Sequence, residues 1–274
     1  MKLLTLNCHS WMEESQKEKM SIIANTIKEK NFDVIALQEV NQSIKENIAF
    51  NNIKQDNFAL VLLKELENLG CKEYSMLWDF SHIGYRIYEE GVSIITKHKI
   101  IEEDSYSFFI SNSKDLDFWK TRKVVKASIR INNEIIDFYS CHLGWWQDEE
   151  EPFSQQVDKL LNNMKNDRLT FFMGDFNNNA FASNEGYDYL MKKGIKDTYT
   201  LSKEKDCGIT VKGKIDGWDL NKNDLRLDLI LTNKCVDVKY SKVIFNGKND
   251  FVVSDHYGVE IDTSLGYSPK TEGF

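Results

Sequence analysis

The stretch FFMGDFNNNA, residues 171–180, sets an apolar run directly against Asp175 and Asn177. A carboxylate and a carboxamide two residues apart at a strand end project to the same side. They can jointly hold a water or a metal ion beside a substrate. Alone, the run also reads as a simple turn, because Gly, Asn and Asp tolerate left-handed backbone. The same habit recurs along the chain. LLTLN ends in Asn7, VIALQ leads into Gln38 and Glu39, IIDFYSC runs into His142, LRLDLIL carries Asp228 within apolar residues, and VVSDHYGV presents Asp255 and His256. Carboxylates, amides and imidazoles converging from neighbouring strand ends would make an oxygen-rich site for a hard cation such as Mg²⁺. Zinc would call for more His or Cys.

The elements that must position these groups are mostly strands. Apolar, β-branched and aromatic runs recur as KLLTLN, DVIALQEV, YSMLWDF, GVSIITK, KVVKASIRI, EIIDFYSCHL, LTFFMGDF, RLDLILTN, VDVKYSKVIF and HYGVEIDT. Helical spacing occupies roughly residues 14–30, 56–69, 152–165 and 184–193. βα alternation is mixed with hairpins, as in KVVKASIRI, the turn NN, then EIIDFYSC, which argues against a purely parallel wound sheet. The expectation is an α/β fold of two mostly antiparallel sheets packed face to face with helices outside. With Pro only at 152 and 269 and no linker-like stretch, residues 1–274 read as a single domain.

Composition narrows the function. A formal net charge of -8 and a pI near 5.3 repel polyanions at long range, which counts against nucleic acid and anionic membrane surfaces. The apolar stretch in MKLLTLNCHSW is too short for a signal peptide and no later segment approaches a membrane span, so a cytoplasmic location is expected. Cys8, Cys71, Cys141, Cys207 and Cys235 are scattered and odd in number, indicating neither a disulfide framework nor a zinc site. Most are expected to be small core residues.

Seven motifs in order, TLN, ALQEV, EGVSIITK, SCHL, GDFN, RLDLIL and SDHYGV, give the chain from Leu3 to about Ile261 a resemblance to the endonuclease/exonuclease/phosphatase superfamily. That superfamily includes deoxyribonuclease I, apurinic endonucleases, bacterial sphingomyelinases and inositol-polyphosphate phosphatases. The resemblance implies a four-layer α/β/β/α sandwich and a metal-dependent phosphoesterase. It implies Glu39 as the main metal ligand with Asn7 nearby and Asp255 close to the metal. Asp175 and Asn177 would orient the attacking water and the phosphate, Asp228 would pair with His256, and His142 would match a second histidine found in deoxyribonuclease I and the sphingomyelinases. Mg²⁺, replaceable by Mn²⁺, would neutralise phosphoryl oxygens. Either Asp175 or His256 would take the proton of a directly attacking water. No nucleophilic Ser or Cys is evident.

Outside the shared motifs, LDFWKTRKVVK places Lys120 and Arg122 beside Trp119, and GWWQDEEEPF adds Trp145 and Trp146 after His142. Aromatic faces suit sugar rings and a small basic cluster suits one phosphate, so Lys120, Arg122, Trp145 and Trp146 are expected to bind substrate, with core filling the alternative for any single tryptophan. NCHSWMEE, ALQEVNQ, SHIGY with YEEG, HLGWW with DEEEPF, and KIDGW resemble the bacterial maltose 6'-phosphate phosphatase group, with Arg86 a departure where an acidic residue is expected. The implied partner is a small-molecule phosphate ester, a sugar phosphate monoester, and not nucleic acid or a membrane. The alternatives are a nuclease, which should carry basic strand-binding loops, and a sphingomyelinase-like phosphodiesterase, which should carry a leader and an apolar docking hairpin.

Overall fold

The computed structural model describes residues 1–248 and 251–264, so the tail of the expected 1–274 unit, with Pro269, lies outside the described residues. Its principal strands are β1 (Lys2–Asn7), β2 (Val34–Ser43), β3 (Ser75–Gly84), β4 (Tyr88–Thr96), β5 (Lys123–Ile131), β6 (Glu134–His142), β7 (Leu169–Asp175), β8 (Asp228–Thr232), β9 (Asp237–Ile244) and β10 (Gly258–Ser264). One sheet runs β9-β10-β1-β2-β4-β3, with Glu204–Lys205 added beyond β9. The other runs β8-β7-β6-β5, with Lys196–Asp197 beyond β8, and Lys99–Ile100 and Tyr106–Phe109 against β5.

Each sheet has a parallel pair at its centre, β1 with β2 and β6 with β7, flanked by antiparallel neighbours. That arrangement decides where the polar residues meet. β1, β6 and β7 end at one rim, and their antiparallel partners β10 and β8 begin there. The β5–β6 hairpin expected at NN is present, with Asn132 and Asn133 at φ 49° and 66°, the left-handed pair that a tight two-residue turn requires.

Strands buried on both faces read as continuous apolar runs, and alternate residues go to different layers. Leu3, Phe138 and Phe171 fill the core between the sheets. Leu4 faces α1 (Gln16–Lys30) and α2 (Phe58–Asn68) on one outside, through Ile23, Ile27 and Leu62. Tyr139 and Phe172 face α3 (Phe153–Asn162) and α4 (Gly186–Lys192) on the other, through Phe153, Val157 and Leu190. Two mixed, mostly antiparallel sheets flanked by helices result, as expected, and α1 to α4 each lie inside the range their spacing predicts, while a short helix at Thr198–Leu201 falls outside those ranges. Two corrections follow. Of the cysteines, all free, only Cys8 and Cys141 are buried, and Asp228 opens its strand where the sequence suggested a position inside it.

Candidate active site

His142, Asp175 and Asp228 sit side by side across β6, β7 and β8 in direct register. Their approach depends on Gly174, at φ 153°, where a Cβ would stand 1.9 Å from the Cys141 carbonyl oxygen. In the facing sheet the β2–β4 register slips between Leu37 and Val40. Glu39 occupies that slip at φ 50°, unusual for a residue with a side chain. A bulge of this kind re-aims a side chain, and here it brings the carboxylate to the rim. Asn7 joins the two sheets, its Nδ2 donating to Glu39 Oε1 at 2.7 Å and to Asp175 Oδ2 at 3.2 Å.

The ring of His256 stands between two carboxylates, with Nδ1 2.9 Å from Asp228 Oδ2 and Nε2 3.7 Å from Asp175 Oδ2. Burial opposes its charge, but Asp228 and Asp175 override this and hold its pKa well above the usual imidazole value. His142 is the opposite case. Burial and the positive charge of Arg122 push it well below, so it is neutral at pH 7, with Nε2 3.7 Å from Asp175 Oδ2 and 4.0 Å from Glu39 Oε1. Burial lifts Asp175 to about 6 against the pull of His256. Glu39 is lifted to about 8 by burial and by the charges of Glu90 and Asp255.

Glu39, His142, Asp175 and His256 line a pocket of about 250 Å³ together with His82, Tyr85, Glu90, Trp119, Arg122, Trp145, Asn177 and Asp216. Asn177 is fixed at three points: its backbone N–H donates to Asp175 Oδ1 at 2.8 Å, its Nδ2 donates to the Leu143 carbonyl at 2.9 Å, and its Oδ1 accepts from Trp218 Nε1 at 3.0 Å. Arg122 is buried, 4% exposed. Its Nη1 donates to the Trp119 carbonyl at 2.8 Å, and its Nε has no hydrogen-bond partner. Among the described residues no carboxylate lies within ion-pair distance of it. A desolvated cation without an anion is costly, which makes this guanidinium a standing anion-binding group.

Several expected site residues stand elsewhere. Trp146 packs against Phe153 and Tyr189 in the outer core and does not line the pocket. Lys120 is consumed by Asp148 at 2.7 Å and Glu150 at 2.6 Å, outside the pocket. Asn7, expected near a metal, turns its amide nitrogen to the carboxylates, while its oxygen accepts from the His9 backbone N–H at 3.2 Å. In this geometry it orients Glu39 and Asp175. Asp255 stands 3.8 Å from His9 Nδ1, which is 2.7 Å from Glu13 Oε1.

His9, Glu13, His82 and Glu90 are the additions that the structure makes. His9 lies two residues beyond Asn7, but no apolar run surrounds it. His82 reaches Glu90 Oε1 at 3.5 Å and the Thr121 carbonyl at 3.2 Å.

The donor set fits a hard divalent cation. Glu39 and Asp255 offer oxygens, and His9, Glu13 and Asp255 bring one ligand atom each within 4.8 Å of one another. A carboxylate driven up to about 8 by burial and its acidic neighbours is one that a nearby cation would ionise and stabilise.

A family model described as the Endonuclease/Exonuclease/phosphatase family matches residues 8–256. No curated protein matches. Among solved structures, an endonuclease/exonuclease/phosphatase family protein from Leptotrichia buccalis superposes with a TM-score of 0.91 at 42% identity, over 97% of this chain and 100% of that one. A mannosyl-6-phosphatase from Bacteroides thetaiotaomicron gives 0.71 at 16% identity, over 97% and 100%. A Neisseria 3' phosphatase bound to a product DNA hairpin gives 0.63 at 17%, over 96% and 99%. At those identities the last two speak for the fold alone. Among the described residues no helix is long and apolar enough to cross a membrane. The chain belongs to the endonuclease/exonuclease/phosphatase family, whose members are hydrolases of phosphate esters.

Proposed function

We propose that the chain is a divalent-metal-dependent phosphomonoesterase acting on a phosphorylated sugar, maltose 6'-phosphate or a close relative, by direct attack of water, and that residues 1–274 act as one domain. The observation that carries this is Arg122, a buried guanidinium with no carboxylate within ion-pair distance among the described residues, in a pocket whose acids are Glu39, Glu90, Asp175 and Asp216 and whose other cation, His256, is already paired with Asp228. Surrounding acids repel a phosphate, so one buried cation marks where the phosphate is received. The pocket is small, and an indole, Trp145, stands beside it, which suits a single phosphate on a compact polar body. The fold is shared by a sugar phosphatase and by a 3' phosphatase bound to DNA, so it accommodates phosphatase chemistry on either leaving group and the choice between them rests on the pocket.

In this mechanism Arg122 and neutral His142 bind phosphoryl oxygens. His256, kept as imidazolium by Asp228, adds fixed positive charge next to the reacting group, so Asp175 is left as the proton acceptor for water. Its pKa near 6 suits a base working close to neutrality. Asn177, locked by Trp218 and Leu143, fixes the backbone N–H that orients Asp175. Glu39 and Asp255 would hold Mg²⁺ or Mn²⁺, which when bound neutralises phosphoryl charge.

Phosphate release should be measured on p-nitrophenyl phosphate, sugar phosphates, bis-p-nitrophenyl phosphate and plasmid DNA, with Mg²⁺ and with EDTA. Turnover of monoesters, lost on chelation, is expected. Full activity in EDTA, or plasmid nicking that outpaces monoester hydrolysis, would remove the proposal.

A further inference from the structure

Beside the catalytic pocket runs a second, shallower depression of about 750 Å³, and the two share Trp145 and Gly217. Residues 213–221 form an arch between them, pinned on three sides. The Tyr85 hydroxyl donates to the Asp216 carboxylate. Gly217, at φ 74°, lies so close to Trp145 that a Cβ there would stand 2.9 Å from Trp145 Cζ2. Trp218 Nε1 donates to Asn177 Oδ1 at 3.0 Å. At about 250 Å³ the catalytic pocket is below the roughly 300–1,000 Å³ of usual small-molecule sites, so a compact phosphate ester fills it. The remainder of a larger leaving group has to leave the pocket, and the groove that begins at Trp145 is continuous with it.

Resting on the phosphomonoesterase reading, we propose that this groove is the leaving-group subsite, built for an uncharged, polyhydroxylated chain and closed to anionic ones. Its apolar surface comes from Leu220 and from the indoles of Trp145 and Trp218, which offer flat faces of the kind that cover the C–H side of a sugar ring. Its polar rim is Asp148, Glu149, Glu150 and Asp219, acceptors for hydroxyl groups. The one ammonium in the groove, Lys120, is already engaged by Asp148 and Glu150, so four carboxylates face one cation and the field is negative. A phosphodiester backbone or a second phosphate on the leaving group meets repulsion there and no compensating cation.

Trp218 also gives the groove a line to the chemistry. A ring packed on it presses on the same side chain that fixes Asn177, and Asn177 in turn donates to Asp175. Filling the subsite is therefore expected to raise kcat as well as lower KM.

The test compares kcat/KM on p-nitrophenyl phosphate, a hexose 6-phosphate, a 1→4-linked disaccharide 6'-phosphate and a disaccharide bisphosphate. It uses the wild type and a Glu149→Lys/Asp219→Lys variant, both exposed positions. The wild type should prefer the disaccharide monophosphate to the hexose phosphate by about tenfold or more, and should disfavour the bisphosphate. Reversing two groove charges should raise the bisphosphate-to-monophosphate ratio about tenfold, with the gain shrinking in high salt. Turnover of p-nitrophenyl phosphate with no gain from the second ring, and a ratio unchanged in the variant, would overturn the subsite and leave the phosphatase standing. No turnover of any monoester would overturn both.

Discussion

Asp228 and His256 form a buried pair, Oδ2 to Nδ1 at 2.9 Å, that fixes the far ring nitrogen 3.7 Å from Asp175. The pair spans β8 and the residues before β10, so it ties one sheet to the other at the rim. Its work is electrostatic and geometric together, because Asp228 both orients the ring and keeps it charged. Asp228→Asn keeps the shape and removes the charge. Its kcat should fall by about 10²- to 10⁴-fold with little change in KM. NMR titration of the His256 ring should show its pKa dropping in the variant. A normal kcat would place the pair outside the chemistry.

Asp175, lifted to about 6, should set the acid limb of the pH profile. A base works only when deprotonated, so kcat/KM should decline as pH falls below about 6 and level off above it. Asp175→Asn should abolish the limb along with nearly all turnover. A profile flat from pH 5 to 8 in the wild type would assign the proton transfer elsewhere.

Glu39 predicts a stability effect whose sign is opposite to that of an ion-paired acid. Its folded-state pKa of about 8 lies above the ordinary glutamate value of 4.5, so the folded chain binds the proton more tightly than the unfolded one. Metal-free protein should therefore lose stability as pH rises from about 4.5 towards 8. Glu39→Gln should flatten that decline and melt higher than wild type in EDTA at pH 8. Mg²⁺ should raise the Tm of the wild type and have little effect on the variant. Thermal melts at pH 5 and pH 8, with and without metal, read all of this directly.

The strand-end groups were legible because an apolar run followed by an ionisable residue is a signal in one dimension. Asn7, Glu39, His142 and Asp175 each close or interrupt such a run, and the β-sheet register then brings them to one rim. Choices within a loop carry no such signal. In KTRK the sequence could not separate Lys120, which Asp148 and Glu150 capture, from Arg122, which is buried unpaired, or from Lys123, which Asp79 holds at 2.9 Å. Those partners lie 28 to 44 residues away. His9 was invisible for the same reason, since a turn residue at φ 41° beyond a strand end takes its meaning only from Glu13 and Asp255.

Arg122 should matter to phosphate and cost the fold. Arg122→Lys keeps a positive charge but loses the planar fork, and should raise KM for a phosphomonoester and weaken inhibition by inorganic phosphate by about tenfold or more. Arg122→Met removes an unpaired buried charge, so its Tm should match or exceed that of the wild type while activity collapses. A Tm far below wild type would mean that the guanidinium is mainly structural.

Trp145 and Trp146, adjacent in sequence, should separate cleanly when each is truncated. Trp146 packs at 6.2 Å from Phe153 and 5.9 Å from Tyr189, ring centre to ring centre, and so joins α3 and α4 to the outer face of the second sheet. Trp146→Ala should lower stability by up to about 3–5 kcal/mol, the figure for a fully buried aromatic, since Trp146 is half-buried, and leave KM of the protein that remains folded near wild type. Trp145 lines both the pocket and the groove, lies 5.8 Å from Trp119 and carries the Arg122 guanidinium 5.9 Å above its ring. Trp145→Ala should raise KM for a sugar phosphate far more than for p-nitrophenyl phosphate, with a smaller loss of Tm. Urea unfolding alongside kinetics on both substrates distinguishes the two roles. Should Trp146→Ala raise KM selectively for the sugar and Trp145→Ala do nothing, the substrate would lie on the opposite side of the strand end from the pocket that Arg122 defines.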